Sequence, residues 1–146
     1  MPIAQFNIAR FARPHGDAAN AAFFAAIGKV NAMAEAADGF VWRLVNDADD
    51  RTAADLARND PDLVINLTVW RDVPALERFV YRQADHRAVL ARRADWFVPL
   101  APSMVLWPVA AGVVPSVGEG MDRLAHLAAH GPGQTAFTFA WYKANK

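Results

Sequence analysis

The sequence predicts an α+β fold in which helices cover a four-stranded antiparallel sheet, and three observations carry that expectation. Short runs rich in β-branched and aromatic residues alternate with longer runs of helical periodicity. Turn and cap residues separate them, at Arg13-Pro14-His15-Gly16, Asp38-Gly39 and Pro99 to Pro102. Hydrophobic residues make up 54% of the 146 and charged ones 21%, which suits a packed core and not a disordered chain.

The elements follow in order. Ile3 to Phe11 alternates weakly and stops before the Pro14-Gly16 turn, which predicts a strand. Asp17 or Asn20 caps a helix running to about Ala37, with Phe23, Ile27, Val30 and Ala34 as its apolar stripe. Gly39 to Val45 is a second strand. Asn46 to Asp62 is polar, carries Asp47, Asp49, Asp50 and Asp55, and reads as a long excursion, either a lid over a pocket or a surface loop. Leu63 to Trp70 is the clearest strand of all. Asp72 then caps a helix whose Val73, Leu76, Phe79 and Val80 share a face, and a second helical piece spans about Asp85 to Phe97. Pro99 and Pro102 end it, and Ser103 to Val109 is a fourth strand. Val117, Met121, Leu124 and Leu127 mark a further helix up to His130-Gly131, and the alternation from Gln134 to Trp141 predicts a short last strand.

This is a single domain: a β-α-β-β-α-β, ferredoxin-like core over about residues 2–109 and a helix–strand extension over about 110–146. In that arrangement the helices cover one face of the sheet. The other face needs a cover, and a second copy of the chain supplies it most simply, giving a homodimeric α/β barrel.

Charge and composition exclude several functions. Lys+Arg and Asp+Glu are 15 each, so the net charge is zero and the basic footprint of a nucleic-acid or membrane-surface binder is missing. Without cysteine there is no disulfide, no thiolate nucleophile and no Cys-ligated zinc or iron–sulfur cluster. The apolar stretches are too short to span a bilayer, and MPIAQFNIARF lacks the order of a signal peptide, so a cytoplasmic location is expected.

Strand alternation divides the sheet into two faces. One set is apolar: Ala4, Phe6, Ile8, Phe40, Trp42, Leu44, Ile65, Leu67, Val69, Met104 and Leu106, expected to pack under the helices. The alternate set is mixed: Gln5, Asn7, Val41, Arg43, Val45, Asn66, Thr68, Trp70, Ser103, Val105 and Trp107. Apolar walls with a few convergent polar groups describe a pocket for a small apolar or aromatic ligand. Asn66 and Asn7 are amides able to stabilise developing negative charge, and His86 is the best general base because imidazole titrates near neutrality. Against this, Asn66 also reads as an amide satisfied within the sheet, Trp70 as core and His86 as a surface residue. Arg43 in mid-strand either holds a substrate anion or pairs with an Asp of the 46–62 excursion, the pair being favoured. Thr68 and Trp107 complete the binding set. His126 and His130 have the i, i+4 spacing of shared metal ligands, but no third ligand is nearby, so no metal site is assigned. Arg82, Arg87, Arg92 and Arg93, interrupted by Asp85 and Asp95, read as a solvated helix face.

Leu63-Val-Ile-Asn66-Leu-Thr-Val-Trp70, followed by Arg71-Asp72-Val73-Pro74-Ala75-Leu76 and His86, resembles the dimeric α/β-barrel superfamily, whose best-known branch is the antibiotic-biosynthesis-monooxygenase-like proteins. With Ala-Gln-Phe-Asn near the start, Gly39-Phe-Val-Trp-Arg43 and His126-Leu-Ala-Ala-His130-Gly131-Pro132, the whole chain is more similar to an uncharacterised bacterial family of that superfamily. The resemblance implies a ferredoxin-like protomer facing a partner's sheet, with a pocket between its own sheet and helices. In the cofactor-independent oxygenases a strand Asn and a Trp four residues later orient an electron-rich aromatic substrate, and Asn66 and Trp70 match that spacing. In the haem-degrading branch an Asn on the first strand, a Trp and a His act together. Asn7, Trp70 and His86 match those places, although the sixteen residues from Trp70 to His86 exceed that branch's usual separation. The implied activity is a monooxygenase needing no cofactor, acting on a small aromatic or polyketide-like molecule. The alternative is a non-catalytic protein that binds a small ligand, haem included.

Overall fold

A computed structural model describes all residues, 1–146. Its strands are β1 (Ile3–Phe11), β2 (Phe40–Arg43), β3 (Leu63–Trp70), β4 (Phe97–Val98) and β5 (Met104–Pro108). The helices are α1 (Ala21–Glu35), α2 (Arg51–Asn59), α3 (Val73–Arg82), α4 (Ala84–Ala91), α5 (Arg93–Trp96), α6 (Val117–His130) and α7 (Phe139–Asn145). The antiparallel sheet runs β2-β3-β1, and the far side of β1 is shared by β5 along its first half and β4 at its end. That is the predicted ferredoxin-like order. No helix is long and apolar enough to cross a membrane.

The two faces are sorted by register. On one, Ile3 opposes Trp70, Gln5 opposes Thr68, and Asn7 opposes Asn66. Leu106 and Met104 lie across from Gln5 and Asn7, and Arg43 across from Thr68. This is the mixed face, and α1, α3, α4 and the 137–142 segment cover it: Ile3, Trp70 and Leu106 pack with Val30, Ala34, Leu76, Phe79 and Phe137. On the other face Ala4, Phe6, Leu67, Val69, Val105 and Trp107 pack against Ala53 of α2 and Val117, Leu124 and Leu127 of α6.

Several expectations are corrected here. The apolar set does pack under helices, but under those of the excursion and the extension, while α1, α3 and α4 lie over the mixed set. Within β5 the assignment is inverted: Val105 and Trp107 belong to the apolar face and Met104 and Leu106 to the mixed one, fixed by Asn7↔Met104 and Ala4↔Trp107. Phe40 also changes sides, because a register shift between Phe40 and Trp42 inserts one residue and flips the alternation. The Asn46–Asp62 excursion is neither lid nor bare loop. Its centre is α2, capped by Asp50, with Ala53 fully buried and Leu56 against the core. So the face that seemed to need a second copy is covered by the chain itself.

The predicted last strand is a helix. Phe137 forms one antiparallel bridge with Leu106, after which the Thr138 hydroxyl accepts the Trp141 N–H (3.2 Å) and starts α7. Spacing of Phe137, Phe139 and Trp141 fits a strand, and the Thr N-cap decides against it.

Candidate active site

On the mixed face, alternate residues of β1 and β3 form a ladder of side-chain hydrogen bonds. The Trp70 Nε1–H donates to Thr68 Oγ1 (3.0 Å), whose hydroxyl donates to Gln5 Oε1 (2.9 Å). Gln5 Nε2 donates to Asn7 Oδ1 (2.6 Å), and Asn66 Nδ2 donates to both Asn7 Oδ1 (3.1 Å) and Gln5 Oε1 (3.3 Å). Register builds this: Gln5 with Thr68 and Asn7 with Asn66 are directly opposed pairs on one face, close enough for short polar side chains to meet. Gln5, Thr68 and Trp70 are buried, whereas Asn7 and Asn66 at the ladder's end are only half-buried. Mutual bonding satisfies the buried polar atoms and fixes the rotamers. Asn7 Nδ2 makes no bond within the ladder, which leaves two amide N–H donors on a rigid support, the kind of group that stabilises a developing oxyanion.

Sequence reasoning placed Asn7, Asn66, Thr68 and Trp70 together, and the structure joins them. Sequence reasoning put Gln5 on the same face without a role at the site, and the structure shows it accepting from two ladder residues and donating to a third. Its position two residues before Asn7, on the same strand face, was the available signal. Trp70 is sealed, with Phe79 stacked at 5.3 Å between ring centroids and Phe40 edge-on at 5.6 Å. Its indole therefore positions Thr68, and its flanks are occupied by the protein's own rings.

His86 lies on the same side. Gln83 caps α4 by accepting the His86 backbone N–H (2.7 Å), and the imidazole packs edge-on to Phe79 at 5.1 Å. An aromatic series, Trp70–Phe79–His86, thus connects the ladder to the imidazole. Nδ1 is buried with no partner, and burial pushes the His86 pKa below the usual imidazole value, opposed in part by the Val80 backbone. The folded protein therefore favours neutral imidazole, the form a general base requires.

That shift carries a stability consequence. Between the lowered folded pKa and the unfolded value of about 6.5, the unfolded chain binds more protons, so stability rises with pH. The His86 contribution is complete above the unfolded value and is lost as pH falls through that window. Urea midpoints measured from pH 7.5 downward are expected to decline in this range, with a shallower decline in His86→Gln. Parallel slopes in the two proteins would show that His86 is not the group responsible.

Two other predicted site residues lie elsewhere. Trp107 is on the opposite face, fully buried beneath α6, with the Arg123 guanidinium 5.5 Å from its ring centroid. Arg43 shares the ladder's face, but its favoured Asp partner in the excursion is replaced by Glu35 at the end of α1 (Nε to Oε1, 2.7 Å). Glu35 escaped notice because α1 and β2 are joined by a turn that brings its last turn beside mid-β2. His126 and His130, both on the exposed side of α6, lie 4.6 Å apart between ring centroids with their planes tilted by 44°, and no group of three or more His, Cys, Asp or Glu side chains gathers anywhere for a metal.

Haem was the one cofactor implied by resemblance. The site does not fit it: His86 Nδ1 is enclosed against Phe79, and neither of two cavities beside β2, about 330 and 90 Å³, is lined by a histidine.

Fold and ladder together define an α+β protein of ferredoxin-like topology with a polar strand-pair site under its α1, α3 and α4 layer. Within that class the chain belongs to the family described as a domain of unknown function, DUF3291, which it matches over residues 2–146. No curated protein matches it significantly in sequence. Among solved structures it is similar to Rv0793 from Mycobacterium tuberculosis (TM-score 0.57, 16% identity, 77% of this chain and 100% of that one). It is also similar to SnoaB, a cofactor-independent oxygenase from Streptomyces nogalater (TM-score 0.51, 15% identity, 78% and 98%). A third is NE2512, of unknown function, from Nitrosomonas europaea (TM-score 0.52, 14% identity, 79% and 95%). At these identities the likeness is one of fold.

Proposed function

We propose that the chain is a cytoplasmic, cofactor-independent monooxygenase-like enzyme acting on a small aromatic or polyketide-like phenol. The observation that carries this reading is the ladder ending in Asn7 and Asn66, with a half-buried His86, its pKa lowered by desolvation, on the same side. Similarity in fold to SnoaB supports it. A water held at the Asn7 amide takes a proton from the bound phenol or an adjacent carbon acid and relays it to His86 as the imidazole turns out from Phe79, and the free amide N–H groups of Asn7, positioned by Asn66, hold the resulting anion. The electron-rich anion reacts with O2 at a neighbouring CH2. One oxygen becomes a ring carbonyl and the other leaves as water, so the substrate supplies both electrons.

Oxygen uptake with a panel of reduced polycyclic phenols tests this. Wild-type protein is expected to consume O2 in step with carbonyl formation, and Asn7→Ala to slow turnover by roughly 10²-fold, the scale of losing an oxyanion donor. No uptake with any bound phenol would overturn the proposal. A non-catalytic binding role is the second reading, favoured by the way the ladder's buried amides already satisfy one another. It predicts saturable phenol binding, weakened by Asn7→Ala, with no O2 consumed.

A further inference from the structure

We propose that two copies of the chain join edge to edge through β2, in an antiparallel register centred on Arg43. Three independent observations converge on this strand.

The first is its hydrogen-bonding state. β2 is the outermost strand and pairs only with β3. The Leu44 N–H bonds to the Leu67 carbonyl, and Trp42 lies opposite Val69, so Trp42 and Leu44 direct their backbone groups inward. By the alternation of an antiparallel ladder, Arg43, the last residue of β2, directs its backbone groups to the open edge, and a second strand laid there would extend the pairing to Val45. An open edge is a template for another strand, and natural proteins blunt such edges with lysine, proline or charge. This one carries no lysine or proline at its outer positions; its bulge lies before Trp42, and its one charge, Arg43, is already paired within the chain with Glu35.

The second is apolar exposure. Of nine exposed large hydrophobic residues, four gather here: Val41 (54%), Val45 (64%), Val113 (52%) and Val114 (60%). They are contiguous, since the two cavities beside β2 share Trp42 and Val114 as lining. A clustered patch of this kind marks an association surface.

The third is symmetry in the sequence, and it selects a second copy as the occupant. Val41-Trp42-Arg43-Leu44-Val45 is near-palindromic about Arg43. Two such strands related by a two-fold axis at Arg43 place each Val41 against the partner's Val45 and each Trp42 against the partner's Leu44. Like then meets like at every apolar position, as an isologous interface requires. The single cost would be Arg43 opposing the partner's Arg43. Glu35 removes it, because each guanidinium is already paired with that half-exposed carboxylate, and two adjacent Arg–Glu pairs across a two-fold axis alternate in sign. Such a dimer leaves both faces of each sheet covered as they are in one chain. It is therefore different from a barrel in which sheet faces meet.

A chain without cysteine allows a clean test. In this register positions 41 and 45 of opposite copies are neighbours, within the Cα separation of about 5.5 Å that a disulfide spans. Two copies of position 41 are about 13 Å apart, four residues along the strand. Mild oxidation of an equimolar mixture of Val41→Cys and Val45→Cys proteins is expected to give roughly tenfold more cross-linked dimer than either variant alone, given that separation. Native mass spectrometry at micromolar concentration is expected to show a wild-type dimer. Val45→Lys is expected to be monomeric, with unchanged far-UV circular dichroism and a melting temperature that no longer rises with protein concentration. Wild-type monomer, a dimer that survives Val45→Lys, or equal cross-linking in mixture and single variants would each overturn the proposal.

Discussion

Asp50→Ala is expected to lower the unfolding free energy by about 3 kcal/mol, from a cap worth about 1 and a charge-assisted bond worth about 2. One carboxylate holds two helices. Its Oδ1 accepts the Ala53 N–H (2.9 Å) and caps α2, and its Oδ2 accepts the Val117 N–H (2.9 Å) at the start of α6, 67 residues away. Both recipients are fully buried, so after truncation neither N–H regains water easily. Negative charge at two helix N-termini adds a favourable dipole interaction. Urea unfolding checks the value, and Asp50→Asn should fall between wild type and alanine, because one carbonyl oxygen still accepts while the new amide faces an N–H. A loss below about 1 kcal/mol for alanine would mean that Asp50 is an ordinary surface cap.

The second large effect comes from a glycine. In an exposed helix interior Gly→Ala gains about 1 kcal/mol from backbone entropy. At Gly120 in α6 the sign is expected to reverse, with a net loss of about 2 kcal/mol from overpacking. An added Cβ would sit 2.6 Å from Phe6 Cγ and 2.8 Å from Cδ1, and Phe6 is fully buried in the centre of β1 with no room to retreat. Close approach of α6 to the sheet depends on this missing methyl. Gly28 in α1 is the matched control, since nothing lies within 4 Å of a Cβ built there. Gly28→Ala is expected to raise the melting temperature and Gly120→Ala to lower it. The same sign for both would remove the steric explanation.

Much of the fold was legible because periodicity and caps agreed. Leu63–Trp70 and the Asp72-capped α3 are strongly patterned, and both fall where predicted. What escaped was set by tertiary contacts. α2 has two inward residues, Ala53 and Leu56, among charged neighbours, so its helical signal rests on the Asp50 cap and the α6 surface it meets. β5 was assigned to the wrong phase because Met-Val-Leu-Trp is apolar at every position, and alternation says nothing where both faces are buried. The ladder was half legible. Asn7, Asn66, Thr68 and Trp70 announce themselves by alternation, but Gln5 becomes central only once β1–β3 register sets it opposite Thr68. Arg43's partner was missed for the same reason: Glu35 is eight residues away, across a change of element.

The cover over the Phe6–Leu67–Val105 face is carried on the same chain, clasped at Asp50. A subunit recruited from solution leaves its post on dilution, at a point set by its dissociation constant; a tethered one is present at a fixed local concentration however dilute the protein becomes. Integrity of this core is thus uncoupled from abundance. Association at β2 is free to respond to how much of the protein is made, while each copy keeps its interior dry with or without company.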